Sequence, residues 1–351
     1  MSKEELNRFN WPVVGHKSIV SYLKSCLITK RTAQAYLFFG PASIGKALVA
    51  ENFVNSLVCK NLHEKSQSIP CGQCDCCRQV ANKIHPDIFW LKREIDEKKG
   101  KLKKNISIEQ VRALQNKLSL CSFLDSYKVA VIDGAEALSL EAANSLLKTL
   151  EEPTPKTVLI LLATSIASLP KTIVSRCQLL KFLPVGDKEI FNHLISLKVE
   201  RKKAKTLAAL SFGRPGIALN YLAEPDEYIN FQEQIKQFLN LFKANINDQF
   251  KIIGELVNFN DIDGAKEILA IWRKVLRDLI LIKYSGKNLV SNPNLLSSLE
   301  QLAVSYKTSD LVKILKAINA AERYLAANVN PKLTLENLVL SFFAKGLPAG
   351  R

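Results

Sequence analysis

Two stretches of the sequence carry residue types spaced for chemistry. The first, Gly40-Pro41-Ala42-Ser43-Ile44-Gly45-Lys46-Ala47, follows an apolar run and opens a helical pattern. Glycines in such a loop let backbone N–H groups turn toward an anion, the helix start adds partial positive charge, and Lys46 is placed to reach outer phosphates. The position after the lysine should carry a hydroxyl to ligate magnesium, but it is Ala47, which has no lone pair to offer. Ser43 stands where many such loops carry a third glycine. The acidic partner of the loop is the apolar run Val129-Ala130-Val131-Ile132 ending in Asp133, which can still hold magnesium. The next residue, a water-orienting glutamate in ATPases of this kind, is Gly134. Glu136 lies two residues further on and reads as no more than a surface charge. Two independent losses point the same way, to a structural relic or a weak holder of nucleotide, with a slow ATPase as the other reading.

The second stretch is rich in sulfur. Cys59, Cys71, Cys74 and Cys77 give the spacing C-x11-C-x2-C-x2-C. Four thiolates at such intervals can surround a tetrahedral zinc ion, and a closed four-sulfur site is structural because no coordination position is left for water. The alternative is a set of reduced, unliganded thiols. Cys76 is a fifth candidate that could replace Cys77 or stay free, while Cys26, Cys121 and Cys177 suit buried, small apolar positions.

Elements that could position these groups follow from periodicity. Short continuous apolar runs at Ala35 to Phe39, Ile88 to Leu91, Val129 to Ile132, Val158 to Ala163 and Leu179 to Phe182 suit strands covered on both faces. Helical patterns at about 16–30, 45–59, 72–83, 107–120 and 139–151 alternate with them, which predicts an α/β domain with a parallel sheet wrapped by helices. Pro153 and Pro155 end the fifth helix. After Pro184 the strand signals stop. A small helical unit is broken at Gly213-Arg214-Pro215-Gly216, and from about residue 225 the chain reads as all-helical. There, Ile252, Ile253, Leu256 and Val257 share one face, as do Leu311, Ile314, Leu315 and Ile318.

Bulk composition narrows the class. At 351 residues the chain exceeds what one core usually supports, and 47% apolar with 23% charged residues is the balance of an ordinary soluble protein. No apolar run is long enough to span a bilayer and the first residues lack a secretory h-region, so a cytoplasmic location without membrane contact is expected. The formal net charge of +16 favours a polyanionic partner, of which DNA is the obvious candidate. The dense basic run from Lys98 to Lys104 reads as a solvated hairpin tip rather than a DNA contact.

The loop, the cysteines, His85-Pro86-Asp87, Ile108-Glu109-Gln110-Val111-Arg112, the run Leu146-Leu147-Lys148-Thr149-Leu150-Glu151-Glu152-Pro153 and Ser175-Arg176-Cys177 occur in that order. Together they resemble the bacterial clamp-loader branch of the AAA+ proteins, the gamma/tau and delta-prime subunits of DNA polymerase III. The motifs cover roughly residues 12–183, and the helical tail matches in architecture only. The resemblance implies an AAA+ domain at 1–183 with the cysteine module inserted at about 59–77, a helical lid at 184–224 and an all-α collar at 225–351. It implies a hetero-pentamer with delta and gamma/tau subunits that opens a sliding clamp and places it on primer-template DNA. Arg176 would be an arginine finger acting on a neighbour's ATP. Gly40, Gly45, Lys46, Asp133, the sensor-position Thr164 and the lid Arg214 would form a degenerate nucleotide site, with ATP and Mg2+ weak or absent. Ala47 and Gly134 favour the delta-prime stator over the alternative, a gamma/tau-type ATPase motor, so any ATPase activity of the chain's own would be very weak.

Overall fold

Every apolar run read as a strand forms one. The computed structural model describes residues 8–62, 64, 68–96, 100–120, 122, 127–152, 154–258, 261–284, 286, 290 and 295–343. Strands β1 (Ala35–Phe39), β2 (Ile88–Leu91), β5 (Lys128–Asp133), β6 (Thr157–Ala163) and β7 (Gln178–Lys181) form a sheet in the order β2-β5-β6-β1-β7, with every pairing parallel. This is the α/β domain with a parallel sheet wrapped by helices that the sequence predicts. The short β3 (Ile95–Asp96) and β4 (Lys101–Leu102) pair antiparallel beneath the basic run, whose Lys98 and Lys99 lie outside the described residues, as do Cys121 and Pro153.

Alternate side chains of a strand face opposite sides, and here both sides are apolar. Tyr36, Phe38, Val129, Val131, Val158, Ile160 and Leu162 pack one core with Leu23 and Leu27 of α1 (Lys17–Thr29) and Val49 and Phe53 of α2 (Lys46–Val58). Leu37, Ala130, Ile132, Leu159 and Leu161 pack the other with helices α4 (Ile108–Ser119) and α5 (Leu140–Glu151). The short α3 (Asp75–Ala81) starts three residues later than its apolar pattern suggests, because the Cys74 side chain caps it by accepting from the Cys77 N–H. Helix α4 begins with a capping box in which Ser107 and Gln110 satisfy each other's backbone N–H groups. The short α6 (Lys171–Val174) precedes β7, and α7 (Asp187–Ser196) follows it.

The chain divides into two compact units, Met1–Leu197 with Ser211–Ile217, and Lys198–Leu210 with Ala218–Arg351. Helices α8 (Arg201–Ser211) and α9 (Pro215–Ala223) cross that division in sequence. The second unit continues through α10 (Pro225–Leu241), α11 (Ile246–Leu256), α12 (Ile262–Lys283), α13 (Leu296–Ser305), α14 (Thr308–Ala326) and α15 (Pro331–Phe343). Its core holds Ile253 and Val257 from one expected face and Leu311, Ile314 and Ile318 from the other, around Trp272, whose ring stacks on Phe238 at 4.9 Å. Gln249 is buried and donates to the carbonyls of Leu241 and Ala244, closing the end of α10. No helix among the described residues is long and apolar enough to cross a membrane.

One buried cation ties sheet to helix. Lys128, 4% exposed at the start of β5, donates through Nζ to the carbonyls of Lys117 (2.7 Å) and Leu120 at the end of α4. These carbonyls have no partner within the helix, and burying them unsatisfied is costly. Lys128→Met keeps the stem and removes the donors. Urea denaturation should show a loss of about 1–3 kcal/mol, the penalty for orphaned buried acceptors. An unchanged midpoint would mean that water replaces the ammonium at no cost.

Candidate functional site

The strand order places the carboxyl ends of β5, β6 and β1 side by side. Gly40 N donates to Ala163 O at 3.2 Å and Gly134 N to Leu162 O at 3.1 Å, so the three strand ends that carry Gly40, Asp133 and Thr164 are hydrogen-bonded to one another. Crevices at this edge of an open parallel sheet are where ligands bind.

The phosphate loop runs from β1 into α2. Gly40 adopts φ 151°, and a Cβ there would lie 2.4 Å from the Phe182 carbonyl oxygen, so only glycine fits. Gly45 caps α2 in a left-handed conformation at φ 108°. Ser43, in the place of a third glycine, is also left-handed at φ 58°, a conformation that costs a residue with a Cβ roughly 1–2 kcal/mol. The turn is held from outside: the Ser43 carbonyl accepts from Gly216 N at 2.9 Å, and a Cβ at Gly216 would meet that oxygen at 2.7 Å. Arg214 lies in the same segment and donates its backbone N–H to Ser211 O.

Lys46 is buried, and its ammonium donates to the carbonyls of Gly40 at 2.6 Å and Pro41 at 2.7 Å. Burial lowers its pKa, opposed by the nearby charges of Glu136 and Asp133. Asp133 is exposed at the end of β5, and Gly134 follows at φ 79°, a left-handed position that glycine takes freely and glutamate would not. A cavity of about 430 Å³ flanks the loop and is lined by Ala47, Glu51, His85, Trp90 and Asp133 among others.

Two residues with no motif signal belong to this site. His16 places Nε2 2.9 Å from the Ile44 carbonyl, and burial lowers its pKa, so the neutral ring donates through Nε2. Glu136 is not the surface charge that its spacing suggests. Its Oε1 accepts from both the backbone N–H (3.1 Å) and the hydroxyl (2.7 Å) of Thr164, and its Oε2 is buried. The geometry has a simple cause: a short helical turn, Ala135–Ala137, swings Glu136 back across the end of β6.

The cysteines converge. The sulfur atoms of Cys59, Cys71, Cys74 and Cys77 all lie within 4.8 Å of one another. Cys59 closes α2, and Cys74 and Cys77 occupy the start of α3. Backbone N–H groups of Cys74 and Cys77 point at the sulfurs of Cys71 and Cys74, each at 3.4 Å. A hydrogen bond from Cys77 is the main cause that draws the Cys59 pKa down to about 5, and as the donor Cys77 is pushed up. Cys76 is buried, 1% exposed, and the four converging sulfurs include Cys77 and not Cys76, which favours Cys77 over the fifth-cysteine alternative. The set can hold one metal ion. Cys26 is buried, and burial pushes the half-buried Cys177 thiol up to about 12.

Arg176 follows α6 on the surface. Its Nη2 pairs with Glu151 Oε1 at 2.6 Å and its Nη1 donates to the Thr172 carbonyl at 3.0 Å, while the side chain stays 36% exposed. The last residue of α5 thus holds the guanidinium that follows α6.

Residues 15–186 match the family model described as DNA polymerase III, delta subunit, and residues 230–343 match the model described as DNA polymerase III, delta subunit, C terminal. DNA polymerase III subunit delta' of Bacillus subtilis is 26% identical over 92% of this chain and 94% of its own length. Subunit delta' of Haemophilus influenzae is 38% identical over 56% of each chain. Subunit tau of Bacillus subtilis is 26% identical over 93% of this chain, which spans 60% of that relative's length. With both of its units matched, the chain belongs to the clamp-loader family of bacterial DNA polymerase III subunits, in the delta-prime group.

Proposed function

We propose that this chain is the stator of a pentameric clamp loader: it donates Arg176 to a neighbouring subunit's ATP and hydrolyses little or none itself. The observation that carries this is a fully formed phosphate loop without its chemical groups. Lys46 is in place, but Ala47 offers magnesium no hydroxyl and Gly134 offers water no carboxylate. The ring neighbours are delta and gamma/tau subunits, and the substrates of the assembly are a sliding clamp and primer-template DNA. In this reading residues 184–224 are the lid and 225–351 the collar. The names of the two delta' relatives support the choice of subunit.

Arg176 suits the task. Its planar, permanently charged fork can spread over phosphate oxygens as charge develops there. The exposed pair with Glu151 is worth only about 0–1 kcal/mol, so the guanidinium exchanges one anion for another at little cost. Zinc in the four-cysteine site would be structural, joining the end of α2 to the start of α3. Thiolates are its preferred ligands, and no protein position is left open for water.

Three measurements test this. Protein purified without chelators should hold one zinc per chain, Cys77→Ser should lose it, and Cys76→Ser should keep it. Equal retention by both variants would break the ligand assignment. Since Cys59, Cys77 and Ile69 belong to the same core as the sheet, chelation should lower the melting temperature of the whole first unit, not only loosen residues 59–77.

Steady-state ATPase of the isolated chain should be negligible, and Ala47→Thr alone should not restore it, because position 134 still lacks the carboxylate. Robust turnover by the unmodified chain would favour the motor reading, to which the tau relative also points.

In the reconstituted ring, Arg176→Ala should assemble normally yet slow the clamp- and DNA-stimulated ATPase. A trans arginine contributes about 10³–10⁵ at one site, and the ring loses less because other interfaces keep their own. Arg176→Lys should rescue poorly, since a point charge cannot make the bidentate contact. Unchanged rate and loading in an assembled Ala variant would leave Arg176 as a cation serving the Thr172 carbonyl.

A further inference from the structure

The missing hydroxyl and carboxylate bear on hydrolysis more than on binding: Lys46, Gly40, Gly45 and the start of α2 are parts of such a loop that hold phosphate, and they are present, with Ser43 in the place of a third glycine. The arrangement around them adds something else. The ammonium of Lys46 is spent on two loop carbonyls. Thr164 gives both its N–H and its hydroxyl to one oxygen of Glu136. The other oxygen of Glu136 is buried and accepts no hydrogen bond from the described residues, and the carboxylate is close enough to Lys46 to act on its charge.

We propose that Glu136 is a built-in anion that excludes polyphosphate from the loop, by latching Thr164 and by placing a partly buried negative charge beside Lys46. The proposal rests on the reading above that this subunit holds nucleotide weakly, and it assigns the cause to one residue. A buried carboxylate oxygen without a donor is costly unless a cation compensates it. Lys46 is the nearby cation on which that charge acts, and Asp133 acts on the same lysine. An incoming triphosphate would have to draw Lys46 from its carbonyls while meeting Glu136 as a like charge. In a site of low effective dielectric that repulsion is poorly screened. The sheet enforces the arrangement, because β5 and β6 are neighbours in register with Asp133 opposite Leu162.

The test is calorimetric titration of the full chain with ATP and magnesium, and in parallel with adenosine, which has no phosphate. Glu136→Gln keeps the size and can still accept from Thr164, so it removes the charge and spares the latch. It should bind ATP at least about tenfold more tightly than the unmodified chain, a modest value for removing one like charge at an effective dielectric near 20. Adding Lys46→Ala should abolish the gain, and adenosine should bind all forms alike. Glu136→Asp keeps the charge and should bind ATP as weakly as the unmodified chain, which controls for folding. Equally weak ATP binding by the Gln variant and the unmodified chain overturns the role of Glu136 and leaves the stator reading standing. Tight ATP binding by the unmodified chain overturns the weak-site reading itself, and the proposal falls with it.

Discussion

Strand β6 is hydrogen-bonded on both edges, and the site depends on that. Its seven residues are all buried, with β1 on one side and β5 on the other. Parallel pairing makes all three strands end at the same edge. The phosphate loop, Asp133 and Thr164 therefore become neighbours although they come from distant parts of the chain. A strand in this position cannot afford polar side chains on either face, which is why Thr157-Val158-Leu159-Ile160-Leu161-Leu162-Ala163 is nearly all aliphatic. Each face then needs its own helical layer, and those layers bring the rest of the site. Helix α2 carries the loop into one core, and α5 carries Glu151 toward Arg176 beside the other.

This explains what the sequence made legible. Strands buried on both faces leave an unbroken apolar signal, so their positions come out within a residue: Ala35–Phe39 and Ile88–Leu91 match fully. The cysteine centre was legible because its ligands are local and thiols are rarely clustered by chance, although only geometry could choose between Cys76 and Cys77. The contacts that escaped are long-range. Glu136 meets Thr164 across 28 positions, and Arg176 meets Glu151 between the ends of two helices. No periodicity or motif reports such a pair. The left-handed backbone of Ser43 escaped for another reason: the residue type argues against it, and the surrounding contacts, including Gly216 N on the Ser43 carbonyl, impose it.

Helix α2 joins both features of the first unit. Its start is the phosphate loop and its end is Cys59, with the 13 residues between them spanning about 20 Å. The end of a helix carries partial negative charge, an unfavourable place for a thiolate unless a cation sits there. A metal ion held by Cys59, Cys71, Cys74 and Cys77 would meet that need and would fix α2 to α3. At the other end Lys46 gives its ammonium to Gly40 and Pro41, so the loop carbonyls are satisfied from within the chain.

The two ends together explain how such a loop can persist with Ala47 and Gly134 where a hydroxyl and a carboxylate are expected. In a working phosphate site the ligand supplies the counter-charge and closes the turn. Here Lys46 and Glu136 supply charges of both signs, Gly216 and His16 hold the turn by hydrogen bonds, and Val49, Ala50, Phe53 and Val54 anchor the helix in the core. A fold held this way has no structural need for nucleotide. Arg176 meanwhile lies on the surface, held by an exposed ion pair with Glu151, the Thr172 carbonyl and the Ser175 hydroxyl. In the proposed stator role, a loop held from within the chain and an exposed arginine are complementary: a group that is to meet a neighbour's phosphates is best carried on a body that its own ligand state does not move.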